Sequence, residues 1–372
     1  MVPYGTTLYT HGPDHTAAGT TAAFGYVPLL PPHCVQAGDA YYAHLIYARP
    51  YDKSDRYSSQ VGSIRDAIAR ANGLVRMDAA ELGRSLNLRI LCEPNGNVLV
   101  SNVVLPTHSS QDSFYTIVSD LRARGYTDYR VKYWVVYDDS VGAGIAGQGS
   151  MYLDDRLILD NWNNGAPGSE PRFAIAYGTT SYSVLLHEAG HTMGAVQLSA
   201  PRSSGAGHCN DGQDIMCYAD GGSKSRYNSG VCSDRVYFDC NHDDYFHPNP
   251  PTGSYLSKFW NLGSTLNRFI ESTPTCDWIR IRHLDAGLLG VSVNGVSTWS
   301  ERGIPSACHG QRFTLHGEYA ADFDVCWYTS AGVSLGCSTR GGDEHGVVPQ
   351  GAYEARITAF TALVSKYTLI LG

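Results

Sequence analysis

The residues best equipped for chemistry lie in HEAGHTMGAVQ, His187–Gln197. Residues four apart share one face of an α-helix, so His187 and His191 can aim ring nitrogens at one metal ion. Glu188, next to the first histidine, can reach a water on that ion without ligating it. Such a set hydrolyses: zinc lowers the pKa of its water and polarises a carbonyl, while the carboxylate takes the proton. The plainer reading is a structural helix, because Val184, Leu185 and Ala189 give the segment an apolar face. Burying two imidazoles and a carboxylate without a task is costly, which favours the metal. Gly194 follows His191 by three positions. A glycine there lets the helix end sharply in a left-handed conformation.

HEAGHTMG (187–194) and DIMCY (214–218) together resemble the metzincin clan of zinc endopeptidases. The resemblance extends over about 40–272 and implies a zinc endopeptidase with one catalytic Zn2+. It implies that Met216 forms the apolar floor under the metal, with Gly194 turning the chain beneath it. By likeness to the astacin branch, Tyr218 would help stabilise the oxyanion. The clan's pattern runs HExxHxxGxxH, with Asp last in one branch; here that place is taken by Gln197.

A glutamine carbonyl is a neutral, weak zinc ligand. The stretch GAGHCNDGQDIMCY (205–218) offers a replacement. A Cys209–Cys217 disulfide would tether His208 beside Met216, making His208 the leading third ligand, with Gln197, Asp214 and Asp211 as alternatives. The segment CNHDDYFHPNP (240–250) holds His242, Asp243, Asp244 and His247, which could bind Ca2+ or simply form a solvated loop. LDD (153–155) and YDD (137–139) read as turns.

These residues need a scaffold. Apolar content of 43% and charged content of 17% are ordinary for a folded soluble chain. YYAHLIYA (41–48), LNLRILC (86–92), NVLVSNVVL (97–105) and YRVKYWVVY (129–137) read as strands, and GSMYLDD (149–155) as a short edge strand. Val61, Ile64, Ile68, Ala71 and Val75 form a stripe on one long helix. SFYTIVSDLRARG (113–125) reads as a second helix stopped by Gly125, 180–194 as a third, and 255–270 as a closing helix. The predicted class is α+β: a mixed twisted sheet with backing helices and the HExxH helix, metzincin-like, followed by a small all-β sandwich module. Residues 1–272 would form the catalytic domain, with 1–38 an irregular leader. Residues 276–372, rich in short alternating runs, would form the C-terminal module.

Ten cysteines without a CxxC pair point to disulfides in an oxidising compartment. The expected pairs are Cys34–Cys92, Cys209–Cys217, Cys232–Cys240, Cys326–Cys337 and Cys276–Cys308. The expected location is therefore secreted. The opening MVPYGTTLYT does not read as a signal peptide. Arginine far outnumbers lysine, which hints at a GC-rich bacterial source. No apolar run reaches the length of a membrane span. A net charge of −8 without a basic cluster argues against nucleic-acid binding.

The expected function is a secreted zinc endopeptidase acting on protein or peptide, with Glu188 as general base. An extended substrate would pair along the strand near 144–153. The C-terminal module would bind substrate or a cell surface. The rivals are an inactive binding protein or adhesin of the same fold, and a zinc amidase on a non-protein polymer.

Overall fold

The structure, a computed structural model, describes residues 6–10, 27–141, 144–222, 224, 228, 230–232, 235–272, 278–284, 297–317, 322–339, 342–359 and 365–371. The chain divides into two compact units, Met1–Ser272 and Thr273–Gly372.

In chain order the first unit contains β1 (Thr6–Thr10), β2 (His33–Val35), β3 (Tyr42–Pro50), α1 (Tyr57–Glu81), β4 (Asn87–Leu91), β5 (Val100–Leu105) and α2 (Phe114–Ala123). It continues with β6 (Val131–Tyr137), β7 (Gly147–Tyr152), β8 (Arg172–Tyr177), α3 (Tyr182–Met193) and β9 (Ile270–Glu271). One sheet runs β1-β7-β8-β6-β3-β4-β2, with β5 also on β3 and β9 on β4. The centre, β3, β6 and β8, is parallel, whereas β7 runs antiparallel to β8. This is a mixed sheet, consistent with the expected α+β class.

Strand β6 explains the layering. Its sequence VKYWVVY is buried throughout because both faces are covered. Tyr133, Val135 and Tyr137 pack with Ile117 and Leu121 of α2. Trp134 and Val136 point the other way, into a core shared with Ile64, Ile68, Ala71 and Val75 of α1 and with α3. Helix α2 starts on a capping box between Ser113 and Thr116 and gives way to Gly125 at φ +95°.

Three expectations fail and one strand goes unread. GSMYLDD, expected as a short edge strand, lies in the interior as β7, flanked by β1 and β8. The leader 1–38 is not wholly irregular, since it supplies β1 and β2. The run RFAIAY, not expected as a strand, forms the interior strand β8; it offers only five apolar residues, two of them alanines, which favour strands weakly. The closing helix at 255–270 is reduced to a short turn, Tyr255–Ser257, and to β9. There the Asn261 amide donates to the His247 and Leu256 carbonyls, and the Asn267 amide donates to that of Leu262. Side-chain amides thus meet backbone groups that a helix would have paired. Its periodic apolar residues Leu256, Trp260, Leu262 and Ile270 are still buried.

The second unit contains β10 (Trp278–Leu284), β11 (Ser297–Arg302), β12 (Arg312–Gly317), β13 (Phe323–Tyr328), β14 (Ser334–Ser338), β15 (Glu344–Val347), β16 (Glu354–Ala359) and β17 (Ser365–Leu371). They make two four-stranded antiparallel sheets, β10-β17-β12-β15 and β11-β16-β13-β14. Phe313 and Leu315 of one sheet share a core with Val325, Trp327 and Ile357 of the other.

Disulfides join Cys34–Cys92, Cys209–Cys217, Cys232–Cys240 and Cys326–Cys337, as expected. Cys308 is also disulfide-bonded, but Cys276, its expected partner, lies outside the described residues. These bonds suit an oxidising, extracellular setting. Among the described residues no helix is long and apolar enough to cross a membrane.

Candidate metal centre

Helix α3 is fixed by what surrounds its C-terminal turn. Gly194 takes φ +96°, and a Cβ there would lie 2.8 Å from the Asn163 side chain. The Trp260 indole donates to the Met193 carbonyl at 2.7 Å. The Gln197 amide donates to the carbonyls of Gly194 at 2.9 Å and Tyr152 at 3.1 Å, tying the helix end to β7.

That end presents two histidines whose rings are oriented from behind. His187 Nδ1 lies 2.7 Å from the Ile215 carbonyl, and His191 Nδ1 lies 3.0 Å from that of Ala195. A carbonyl only accepts, so each Nδ1 carries the proton and each Nε2 offers a lone pair. The two Nε2 atoms are 3.2 Å apart. Two nitrogens at about 2.0–2.1 Å from one tetrahedral ion would be separated by about 3.3 Å.

His208 completes the group. Its ring stacks on His187 with centroids 5.3 Å apart and meets His191 edge-on at 5.1 Å. Ligand atoms of His187, His191 and His208 all lie within 4.8 Å of one another, near enough to hold a metal ion. All three residues are buried. The bond between Cys209 and Cys217 ties the residue after His208 to the residue after Met216. Behind His208, Asp220 Oδ2 accepts from Nδ1 at 2.8 Å and from the Ser204 hydroxyl at 2.6 Å. Burial pushes the Asp220 carboxyl up, but donors from His208, Ser204 and the Gly222 amide outweigh it and hold the group below its usual range. A carboxylate behind a ligating histidine fixes its tautomer and raises its basicity. Asp220 was missed in the sequence, where nothing in its spacing from His208 marks it.

The floor and wall follow from close packing. A Cβ on Gly190 would lie 2.5 Å from Met216 Sδ, so the buried Met216 side chain sits directly against α3. On β7, a Cβ on Gly147 would lie 2.5 Å from Glu188 Oε1, and one on Gly149 would lie 2.8 Å from the Glu188 carbonyl. These glycines, also missed, let the strand close over the fully buried Glu188. The Tyr218 ring lies 4.4 Å from His208 and 6.1 Å from His187.

The turn around Met216 hangs on buried carboxylates. Asp214 accepts from the Met216 amide at 2.6 Å, the Cys240 amide at 2.8 Å and the Tyr245 hydroxyl at 2.6 Å. Burial pushes its carboxyl well up despite these donors. The Ile215 amide donates to Tyr237, two residues from Arg235, which pairs with Asp78 of α1 at 2.9 Å. Asp78 also accepts from the amides of Phe238 and Asp239. Helix α1 thereby positions Ile215, which orients His187.

The other candidate residues serve different roles. Asp214 is engaged in the turn, and Asp211 groups with Asp243 and Asp244. His242 faces Glu81 at 3.4 Å, and its ring lies 6.1 Å from that of His247. In the LDD and YDD segments, Asp154 accepts from the Arg156 side chain and the Trp162 amide, and Asp138 pairs with Arg56 and Tyr47.

No known family model matches the chain, and no curated protein matches it. Among solved structures, OgpA from Akkermansia muciniphila is 10% identical, covering 90% of this chain and 88% of that one, with a TM-score of 0.30. Metalloproteinase-II from Bacteroides fragilis is 17% identical over 58% of this chain and 56% of that one, with a TM-score of 0.27. The Glycosylation Associate Protein (Gap123) complex from Streptococcus agalactiae is 21% identical over 20% of this chain and only 31% of that one, with a TM-score of 0.16. Scores of this size establish neither a shared fold nor a shared activity.

Proposed function

We propose that the chain is a secreted, zinc-dependent endopeptidase of metzincin-like fold. The observation that carries this reading is the convergence of His187, His191 and His208 within 4.8 Å beside the buried Glu188. Three neutral imidazoles suit zinc, and a site with three protein ligands keeps a position open for water or substrate. A zinc ion held there would acidify a water and polarise the scissile carbonyl.

The chain's own residues supply the rest. Glu188 takes the proton of the attacking water and returns it to the leaving amine. The Ile215 and Ala195 carbonyls and Asp220 hold the three rings in the ligating tautomer. Tyr218 stands beside His208 as the candidate donor to the developing oxyanion. An extended peptide would run antiparallel to β7, next to Glu188. That edge is paired by β1, with Leu8 opposite Ser150, so substrate has to take the place of β1. In this reading 1–272 is the catalytic domain, and the C-terminal unit binds substrate or a cell surface.

Metal analysis and casein cleavage test the reading. About one tightly held zinc per chain, with cleavage abolished in Glu188→Ala, is the expected result. A protein that neither holds zinc nor cleaves would be the metal-free adhesin instead. Zinc without peptide cleavage would move the reading to an amidase on a non-protein polymer.

A further inference from the structure

We infer that Asp211, Asp243 and Asp244 form a second, oxygen-only cation site that takes calcium and is independent of the histidine cluster. Each of the three offers a carboxylate oxygen, and these atoms lie within 4.8 Å of one another. This is not a solvated acidic patch: Asp244 is 1% exposed and Asp211 4%.

The decisive feature is Asp244. One of its oxygens accepts from the Arg202 amide at 2.7 Å, while Oδ2 is buried with no hydrogen-bond partner. Asp243 Oδ1 is likewise buried and unpartnered. A buried carboxylate oxygen without a donor carries a desolvation penalty that natural structures avoid. Two such oxygens on members of one group of three acids call for a cation.

Charge agrees. The guanidinium paired with the cluster is that of Arg202, whose Nε lies 3.9 Å from Asp211 Oδ1 and whose side chain is 55% exposed, and the neighbouring His242 imidazole also acts on Asp243. Asn241 adds one neutral donor to Asp211 at 3.4 Å. Three carboxylates against one guanidinium leave a deficit that one dication would balance. Burial and mutual repulsion push the Asp244 carboxyl up to about 8, which expresses the same deficit.

The chemical class follows from the donors. Carboxylate oxygens select hard cations, and irregular loops tolerate the large, flexible shell of calcium better than the strict octahedron of magnesium. Asp211 comes from the loop before the Met216 turn, and Asp243 and Asp244 follow Cys240, which is bonded to Cys232. The Cys240 amide donates to Asp214. The ion would therefore cross-link two loops that the candidate zinc site leans on.

The test uses the full chain, freed of divalent cations with chelator and reloaded with zinc, then titrated separately with CaCl2, MgCl2 and TbCl3. The readouts are calorimetry, terbium luminescence and melting temperature, none of which depends on catalysis. One calcium per chain with Kd at or below about 1 mM, and a higher melting temperature on binding, is expected. Asp243→Asn, at a half-buried position, should fold and weaken binding at least about tenfold, and Asp244→Asn should abolish it. Zinc content should be unchanged in both. If Asp244→Asn does not fold, Asp243→Asn and the wild-type titration decide. The inference is overturned if wild-type protein shows no saturable calcium binding, if Asp243→Asn binds as wild type does, or if magnesium binds as tightly.

Discussion

His208 and Asp211 lie in one loop, yet they belong to clusters of opposite chemistry. In the histidine cluster every donor is neutral, and each ring is held from behind by an acceptor: Ile215, Ala195 or Asp220. Without an ion, that site still meets its hydrogen-bonding needs at Nδ1. In the aspartate cluster the donors are anionic, and the Asp243 and Asp244 oxygens named above meet no donor at all. Such a site is satisfied only by a cation or by protons. The difference teaches what each proposed ion would do. Losing the nitrogen-bound ion should cost chemistry more than fold, and losing the oxygen-bound ion should cost fold more than chemistry.

The largest effect should separate the two at once. Glu188→Ala removes the proposed general base, and peptide hydrolysis should fall by about 10²–10⁴-fold. Zinc content and the calcium-dependent melting temperature should stay at wild-type levels. A variant that kept most of its activity would remove Glu188 from the mechanism.

Next in size is metal retention. His208→Ala should lose zinc far more severely than Gln197→Ala, whose amide already donates to Gly194 and Tyr152. Equal zinc loss in the two would return Gln197 to the ligand set. Asp220→Asn should weaken zinc affinity roughly 10–100-fold while calcium binding is untouched. Unchanged zinc affinity would leave Asp220 a structural partner of Ser204 only.

What the sequence disclosed about these clusters follows from their range in the chain. His187, Glu188 and His191 are legible because a helix converts a spacing of four into one face. Strands β3 to β6 were legible for the same local reason: alternation or apolar runs report burial. His208 needed the Cys209–Cys217 tether as well, and that was visible as cysteine spacing. Asp220, Gly147 and Gly149 gave no local signal, because their roles arise from long-range approach to His208 and Glu188. The grouping of Asp211 with Asp243 and Asp244 was hidden for that reason too: Asp211 reads as a possible ligand of the histidine site and the acidic loop as a possible calcium site, but no spacing brings the two together. Strand β8 is as covered as β6 but was less legible, because RFAIAY gives only a five-residue apolar run diluted by two alanines, weak strand formers.

The comparison also predicts a pH response that belongs to the aspartate cluster. Asp244 is pushed up to about 8 in the folded chain, against about 3.9 for an unperturbed Asp. A raised folded pKa gives stability that is full below the unfolded value and is lost as pH rises through the folded one. Asp211 and Asp243 are raised by burial, as are Asp214 and Asp239 beside them, so they act in the same direction. The facing Arg202 lowers Asp244 but does not reverse the sign. Calcium-free protein should therefore lose melting temperature between about pH 4 and pH 8, at about 2 °C or less for each kcal/mol in a unit of this size. Saturating calcium should flatten that slope. A slope that calcium leaves unchanged would detach the effect from this cluster and assign it to Asp214 and Asp239.

The smallest expected effect concerns the edge above Glu188. Strand β1 pairs with β7 over Thr6–Thr10, where an extended substrate would run. If substrate and β1 compete for that edge, the apparent KM is raised by the reciprocal of the fraction of time the edge is open. Deleting residues 1–11 should then lower KM by a few-fold to about tenfold and leave kcat unchanged. Calcium binding, which draws on no part of β7, should not change. The same KM in the truncated and full chains would mean that substrate approaches Glu188 from elsewhere. A fall in kcat instead would mean that β1 braces β7, whose Gly147 and Gly149 hold the strand against the proposed base.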